Sequence, residues 1–321
     1  MVLSIVKKQT KDYTMDSNGI PDNLLFFEEE TMEFLIGLLP AFFWGFTPVV
    51  VNKLGGKPIN QQLGTSFGCG ILALGIFIFA KPEFTTQVII GCIISGLAWS
   101  VGQLCQYTSY VILGTSKAFA LSISIEMVLN AIVGVLIFHE WSTMSQIVLG
   151  LSAIACVILG GNLTSFTSEK STANKEQFKK GFITLFIGAC GFCVWNYALR
   201  VAGADGIGAL CPQAIGMILG SLTLSCFVGK DSKRFDVTTF KQIIPGLIYA
   251  AANATLVLSN MVNGVAVGYT MAQLCLVIET LLGFAILKEH KHKTPAELKH
   301  SIAGAIFITA GCIMVGLVGY V

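Results

Sequence analysis

Trp99, Gln103, Gln106 and Tyr110 stand at spacings i, i+4, i+7 and i+11 inside otherwise apolar sequence, which on a helix of 3.6 residues per turn sets them on one stripe. Ile93, Leu97, Val101 and Leu104 cover the other faces. A primary amide offers two donors and an acceptor, and an aromatic face can stack on the apolar C–H side of a sugar ring. Amides and aromatics without a fixed cationic or anionic clamp suit a neutral polyhydroxylated solute. The stripe recurs: at an offset of 150, Gly96, Trp99, Gln103, Tyr110 and Gly114 fall on Gly246, Tyr249, Asn253, Asn260 and Gly264, while Gln106 falls on Leu256. Gly134 and Glu140 correspond to Gly283 and Glu289 at an offset of 149. Such a period implies two halves of one fold.

Glu126 lies mid-span with Ser122 and Asn130 at i−4 and i+4, and Glu279 occupies the position matching Asn130. A charged carboxylate at a bilayer centre costs about 2.5–3.5 kcal/mol or more, so each either faces a wet cavity or carries its proton. Both states suit proton coupling; the alternative is a protonated carboxyl satisfied by a neighbouring helix. Gln61 and Gln213 each open a Gln-x-x-Gly-x-x-x-Gly pattern, whose glycines are explained by close helix packing. The two amides either bind a polar solute or bond another helix. Trp44, Trp99, Trp195, Tyr107 and Tyr249 lie within spans, where helix packing competes with sugar stacking. No Ser-His-Asp pattern, H-E-x-x-H or Walker loop occurs, so neither an enzyme, a metal or cofactor site, nor ATP-driven pumping is expected. Cys190 and Cys193 form a C-x-x-C without a second pair or a nearby His, which favours buried packing. Asn162-Leu163-Thr164 and Asn253-Ala254-Thr255 match the glycosylation pattern but fall on a cytoplasmic and an intramembrane position, and are discounted.

The elements that must position these residues follow from composition. The chain of 321 residues is 54% hydrophobic and 12% charged, with a mean hydropathy of +0.75, against roughly 25% charge in soluble domains. This indicates an all-α polytopic membrane protein, and a net charge of +2 leaves no case for nucleic acid. Ten apolar windows of helix length are expected, near 34–51, 63–80, 88–110, 117–137, 145–162, 181–199, 207–228, 242–262, 268–287 and 301–320. They divide into a first five-helix repeat (32–162), a polar linker (163–180) and a second five-helix repeat (181–321). Lys and Arg crowd the odd-numbered loops, at Lys53, Lys57, Lys117, Lys170 to Lys180, Lys230 to Lys241 and Lys288 to Lys299, whereas the even loops hold Lys81 and Arg200. Odd loops are therefore expected in the cytoplasm and both termini outside, and five spans per half makes the repeats an inverted pair. Residues 1–31 contain no membrane-length apolar run and are expected as a non-structural tail. Glu28 to Glu30 imply purine-rich codons resembling a bacterial ribosome-binding site just before Met32, so Met32 is the expected start. An untranslated tail would also remove Lys7, Lys8 and Lys11, which oppose the orientation.

From Met32 onward the chain resembles the glucose/ribose porter family of the drug/metabolite transporter superfamily. The resemblance is carried by Leu39-Pro40-Ala41 with Trp44-Gly45, Lys53-Leu54-Gly55-Gly56, Gln61 with Leu63-Gly64-Thr65, Trp99 with Gly102-Gln103 and Gln106, Glu140-Trp141-Ser142, Pro212 to Met217, and Ile243 to Leu247. It implies ten helices in two inverted repeats and uptake of glucose or ribose coupled to protons in a bacterial plasma membrane, with Gln103, Gln106, Lys117 and Gln213 carrying the family pattern. The binding set expected on both grounds is Gln61, Trp99, Gln103, Gln106, Gln213, Tyr249, Asn253 and Asn260, with Glu126 and Glu279 for the proton. The expected partners are a monosaccharide, protons and the bilayer, with the chain acting as a monomer or a homodimer. The rival reading is an exporter of small metabolites or drugs on the same architecture, which calls for a wider apolar cavity and fewer amides. A non-transporting receptor has no need of two equivalent gates.

Overall fold

The computed structural model describes residues 22–318 apart from 83, 165, 167–171, 205, 230–232, 264–267 and 269–270. Its long helices are α1 (Asp22–Leu54), α2 (Pro58–Ala80), α3 (Thr86–Leu113), α4 (Thr115–Phe138), α5 (Met144–Thr164), α6 (Thr172–Ala202), α7 (Leu210–Phe227), α8 (Ile243–Asn263), α9 (Cys275–Ala285) and α10 (Pro295–Leu317). No strand occurs among the described residues. Among the described residues nine spans are long and apolar enough to cross a membrane, and α9, with 11 residues, is shorter. The protein is a helical, multi-pass membrane protein.

Helix ends follow local chemistry. Thr85 caps α3 by accepting from the Val88 N–H, and Thr294 and Glu297 form a reciprocal capping box ahead of Pro295 at the start of α10. Three boundaries depart from the apolar pattern. α1 begins at Asp22, so residues 22–31 are helical although expected as tail; residues 1–21 lie outside the described residues. α6 begins at Thr172, and much of the expected linker is thus its polar first turns. The ninth span is interrupted by a turn at Gln273 and Leu274, where Leu274 and Leu276 donate to carbonyls three residues back, those of Met271 and Gln273.

The surface is apolar and the interior polar, as lipid demands. Phe79, Leu136, Met144 and Val111 are at least two-thirds exposed, while Gln62, Gln242, Glu279, Ser100 and Thr65 are fully buried. Buried amides are bonded across helices: Gln62 donates to Ser221 at 2.8 Å, and Gln242 donates to the Val51 and Gly55 carbonyls that end α1. With no water-driven force between helices in lipid, close backbone approach carries the packing. A Cβ on Gly96 would collide with the backbone of Gln213 to Met217, and one on Gly246 with that of Thr65 and Gly68.

α3 packs along α6 and α7, α8 along α1 and α2, α4 against α6, α9 against α1, α2 against α7, and α5 against α10. Exchanging each helix for the one five places along the chain maps this set onto itself. Loops sort by parity. At one end Asn60 donates to Thr239 and to the Lys233 carbonyl, Gln177 to the Ile112 carbonyl, and the Ser116 N–H to Glu289, which joins loops one with seven, five with three, and three with nine. At the other end Arg200 pairs with Glu140 and Gln87 donates to the Val201 carbonyl, joining loop six with loops four and two. Asn52 at the end of α1 donates to Thr115 at the start of α4 and so joins loop one with loop three, which gathers the described residues of the Lys- and Arg-rich loops at a single end.

Candidate functional site

Where α1, α3, α4, α6 and α8 converge on the break ahead of α9 lies a cavity of about 110 Å³, room for several waters at roughly 10–15 Å³ each and of a size for a small ring. α1 contributes Trp44, Thr47 and Pro48, α3 Gln103, Gln106, Tyr107 and Tyr110, and α4 Phe119, Ile123, Glu126 and Met127. Phe192, Trp195 and Asn196 come from α6, Tyr249 and Leu256 from α8, Gln273 from the interruption itself and Cys275 from the start of α9. Among the described residues Glu126 is the only ionisable carboxylate in this lining, and no Lys or Arg belongs to it. Pro48 cannot donate to the Trp44 carbonyl one turn back, so α1 loses a backbone hydrogen bond at the cavity.

Hydrogen bonds fix the walls. Gln103 Nε2 donates to Gln106 Oε1 at 2.8 Å, and Gln106 Nε2 donates to Ser122 Oγ at 3.0 Å, a chain of amides running from α3 to α4. Trp44 Nε1 donates to Asn253 Oδ1 at 3.2 Å, which orients that ring. Trp99 and Tyr249, equivalent positions in the two halves, meet each other: the indole N–H donates to the phenol oxygen at 2.8 Å, with ring centroids 5.4 Å apart. Asn196 Nδ2 donates to Glu126 Oε1 at 3.4 Å. Trp195 Nε1 is buried without a partner among the described residues.

Of the residues singled out in the sequence, Gln103, Gln106, Tyr249 and Glu126 line this cavity. Trp99 is fully buried and reaches it only by holding Tyr249. Asn253 and Gln213 border a second, smaller cavity of about 10 Å³; Gln213 donates to Ser95 at 3.0 Å, an interhelical bond of the plain kind. Gln61 sits at the start of α2, donating to the Gly55 carbonyl at 3.4 Å, away from both cavities. Asn260 and Glu279 also lie outside both linings; Asn260 Oδ1 is a buried acceptor without a partner among the described residues, and Glu279 accepts from Ser116 Oγ at 3.0 Å. Lys117 lies over the Phe178 ring, 5.3 Å from its centroid. All ten cysteines are free thiols, and Cys193 of the C-x-x-C donates to Asn130 Oδ1 at 3.2 Å.

Sequence reasoning missed Asn196 and Gln273, and did not pair Trp44 with Trp195. The offset carries the signal for the pair: at 151, Trp44 falls on Trp195, and both line the cavity. Gln106 and Leu256, and Glu126 and Cys275 at an offset of 149, likewise face it from both halves. In each of those two pairs the first half supplies the stronger polar group. Gln273 carries no such mark, because its exposure to the cavity depends on the helix break.

A family model described as sugar transport protein matches residues 35–318. A glucose uptake protein of Bacillus subtilis is 37% identical over 288 residues, 89% of this chain and 98% of its own. One of Bacillus anthracis, named as a probable glucose uptake protein, is 40% identical over 289 residues, 89% of this chain and 99% of its own. In Listeria monocytogenes a protein named for sugar uptake is 40% identical over 286 residues, again 89% of this chain and 99% of its own. A crystal structure at 12% identity superimposes with a TM-score of 0.56 over 90% of this chain and 98% of its own, a likeness of fold alone.

Proposed function

The chain belongs to the sugar transport protein family, and on that premise we propose that it imports a monosaccharide, glucose or ribose, with protons as the coupling ion. The observation that carries this reading is the composition of the cavity wall. Bonded amides, Gln103 and Gln106, stand beside aromatic faces, Trp44, Trp195 and Tyr249, with a single carboxyl and no fixed cation among the described residues. A neutral polyol needs donors and acceptors to replace lost water and flat apolar faces for its C–H groups. The small volume and the amides favour such a solute over the broad apolar cargo of an exporter. Glu126, open to the cavity, is the proton carrier.

Alternating access follows from a site between two exchangeable halves. The packing set that maps onto itself when the halves are exchanged supports an inverted pair, and the gathering of Lys and Arg loops at one end supports a cytoplasmic location for that end and an outward one for both termini. The membrane is the bacterial plasma membrane. Uptake of labelled glucose and of labelled ribose by cells producing the protein, with and without a protonophore, tests the reading. One sugar is expected to accumulate and the protonophore to abolish accumulation. Failure to take up either sugar would transfer the assignment to export.

A further inference from the structure

α4 and α9 carry the same polar ladder. Glu126, Asn130, Gly134 and Glu140 fall at an offset of 149 on Cys275, Glu279, Gly283 and Glu289. The residue ahead of each last glutamate, His139 and Lys288, has the same left-handed backbone, with φ of 52° and 56°. That turn folds each glutamate back over its glycine. A side chain on Gly134 would meet the Glu140 carboxylate and the Tyr197 hydroxyl, and one on Gly283 would meet Ser116 Oγ, with the Glu279 and Glu289 carboxylates next.

The first ladder leads out of the cavity along the α4–α6 seam. Beyond the Asn196–Glu126 contact, Cys193 donates to Asn130 Oδ1 at 3.2 Å and Tyr197 to the Asn130 carbonyl at 2.8 Å. Arg200 then pairs with Glu140 at the exposed end. The second ladder runs from Cys275 at the cavity to Glu279, which accepts from Ser116 Oγ at 3.0 Å, and to Glu289, which the Ser116 N–H faces at 3.4 Å. Each ladder holds a buried polar atom without a partner among the described residues, Asn130 Nδ2 in one and Glu279 Oε2 in the other, where a water at the amide and a proton or a water at the carboxyl would complete the set. Because Ser116 begins α4 and Glu140 follows its end, the two ladders open about 35 Å apart at 1.5 Å per residue, on opposite ends of the molecule.

We propose that the ladders are two half-paths for one proton, Glu126 exchanging it with the end that carries Glu140 and Glu279 with the end that carries Glu289. The proposal rests on the proton-coupled reading above. Facing Glu126 are Cys193 and Asn196 of α6, Tyr249 of α8, Cys275 of α9 and Cys312 of α10. Facing Glu279 are Tyr110 of α3, Ser116 of α4, Cys275, Glu289 and Lys293. A proton taken from water at one end neutralises Glu126, passes to the Glu279 carboxylate and leaves to water at the other end, so one is bound for each released.

The test uses purified protein reconstituted in one orientation, with pH set independently on each side. Asn130→Leu, which removes the amide that bonds along the first ladder, is expected to slow pH-driven sugar uptake about ten-fold, the loss of about one hydrogen bond in the path, and to abolish its response to pH at the Glu140 end. Exchange between equal sugar pools should keep its wild-type rate. Glu289→Gln should do the same for pH at the opposite end. Tyr197→Phe, which removes one hydroxyl, carries the first arm if Asn130→Leu is not produced at normal abundance. The proposal is overturned if the variants keep both pH responses, or if exchange falls together with coupling at normal abundance. Accumulation by the wild-type protein that ignores a protonophore would instead overturn the proton reading beneath it.

Discussion

Gln103 is the residue whose loss a bound sugar should feel most directly. Gln103→Leu keeps the volume and removes the amide, and one neutral hydrogen bond of about 0.5–1.5 kcal/mol corresponds to a several-fold rise in half-saturation. Normal abundance with unchanged half-saturation would remove it from the site. Asn253 acts differently, since it holds Trp44 Nε1 and borders only the smaller cavity. Asn253→Leu and Trp44→Phe should therefore be non-additive, the double variant resembling the worse single one; additive losses would give Asn253 its own contact with the sugar. Glu126→Gln mimics the protonated carboxyl and should lose accumulation driven by a pH gradient. Survival of that accumulation would shift the carrier role to Glu279. At this scale the stripe of Trp99, Gln103 and Gln106 was legible as a polar face, but its division into cavity wall and support was not. Periodicity names a face, and only the facing helix decides whether it meets a void or a partner.

Helix crossings are the energetic centre of the elements. Gly246→Val would drive a side chain into the Thr65 and Gly68 backbone and should destabilise the protein by about 1–3 kcal/mol, the usual range for overpacking. Gly75→Ala, with nothing within 4 Å of its added Cβ, is the control and should leave melting temperature and abundance unchanged. Asp236 caps the short helical turn Val237–Lys241 by accepting from the Thr239 N–H, and this bond holds its carboxyl below the usual range. Its contribution is therefore full above the unfolded carboxyl's pKa and lost as pH falls through the lower folded value. Asp236→Asn should flatten that acid limb of a melting-temperature profile; an unchanged limb would assign it to other carboxylates. The caps and most spans could be read from the sequence. The break at Gln273 could not, because the residues around it remain as apolar as a continuous span.

For the whole molecule, sidedness decides which compartment each end of the bundle meets. In a background without native cysteines, Gln87→Cys at the even-loop end should react with an impermeant external thiol reagent in intact cells, and Lys233→Cys at the odd-loop end should react only after permeabilisation. The reverse pattern would invert the orientation and the direction assigned to the two proton ladders.

The chain's own pattern determined that apolar helices cross a membrane, that two halves repeat at an offset near 150, and that basic loops alternate. These are one-dimensional properties, set by hydrophobic length, period and charge, and they survive any arrangement of the helices. Tertiary structure decided which polar residues converge. Gln103, Gln106, Tyr249 and Glu126 share a cavity, Trp99 and Tyr249 close on each other, and Gln61, Asn260 and Glu279 lie elsewhere. In lipid, a polar side chain is driven inward whether it ends at a solute cavity or at another helix. Burial of an amide is therefore written in the sequence, while the identity of its neighbour comes only from the packing of the helices in three dimensions.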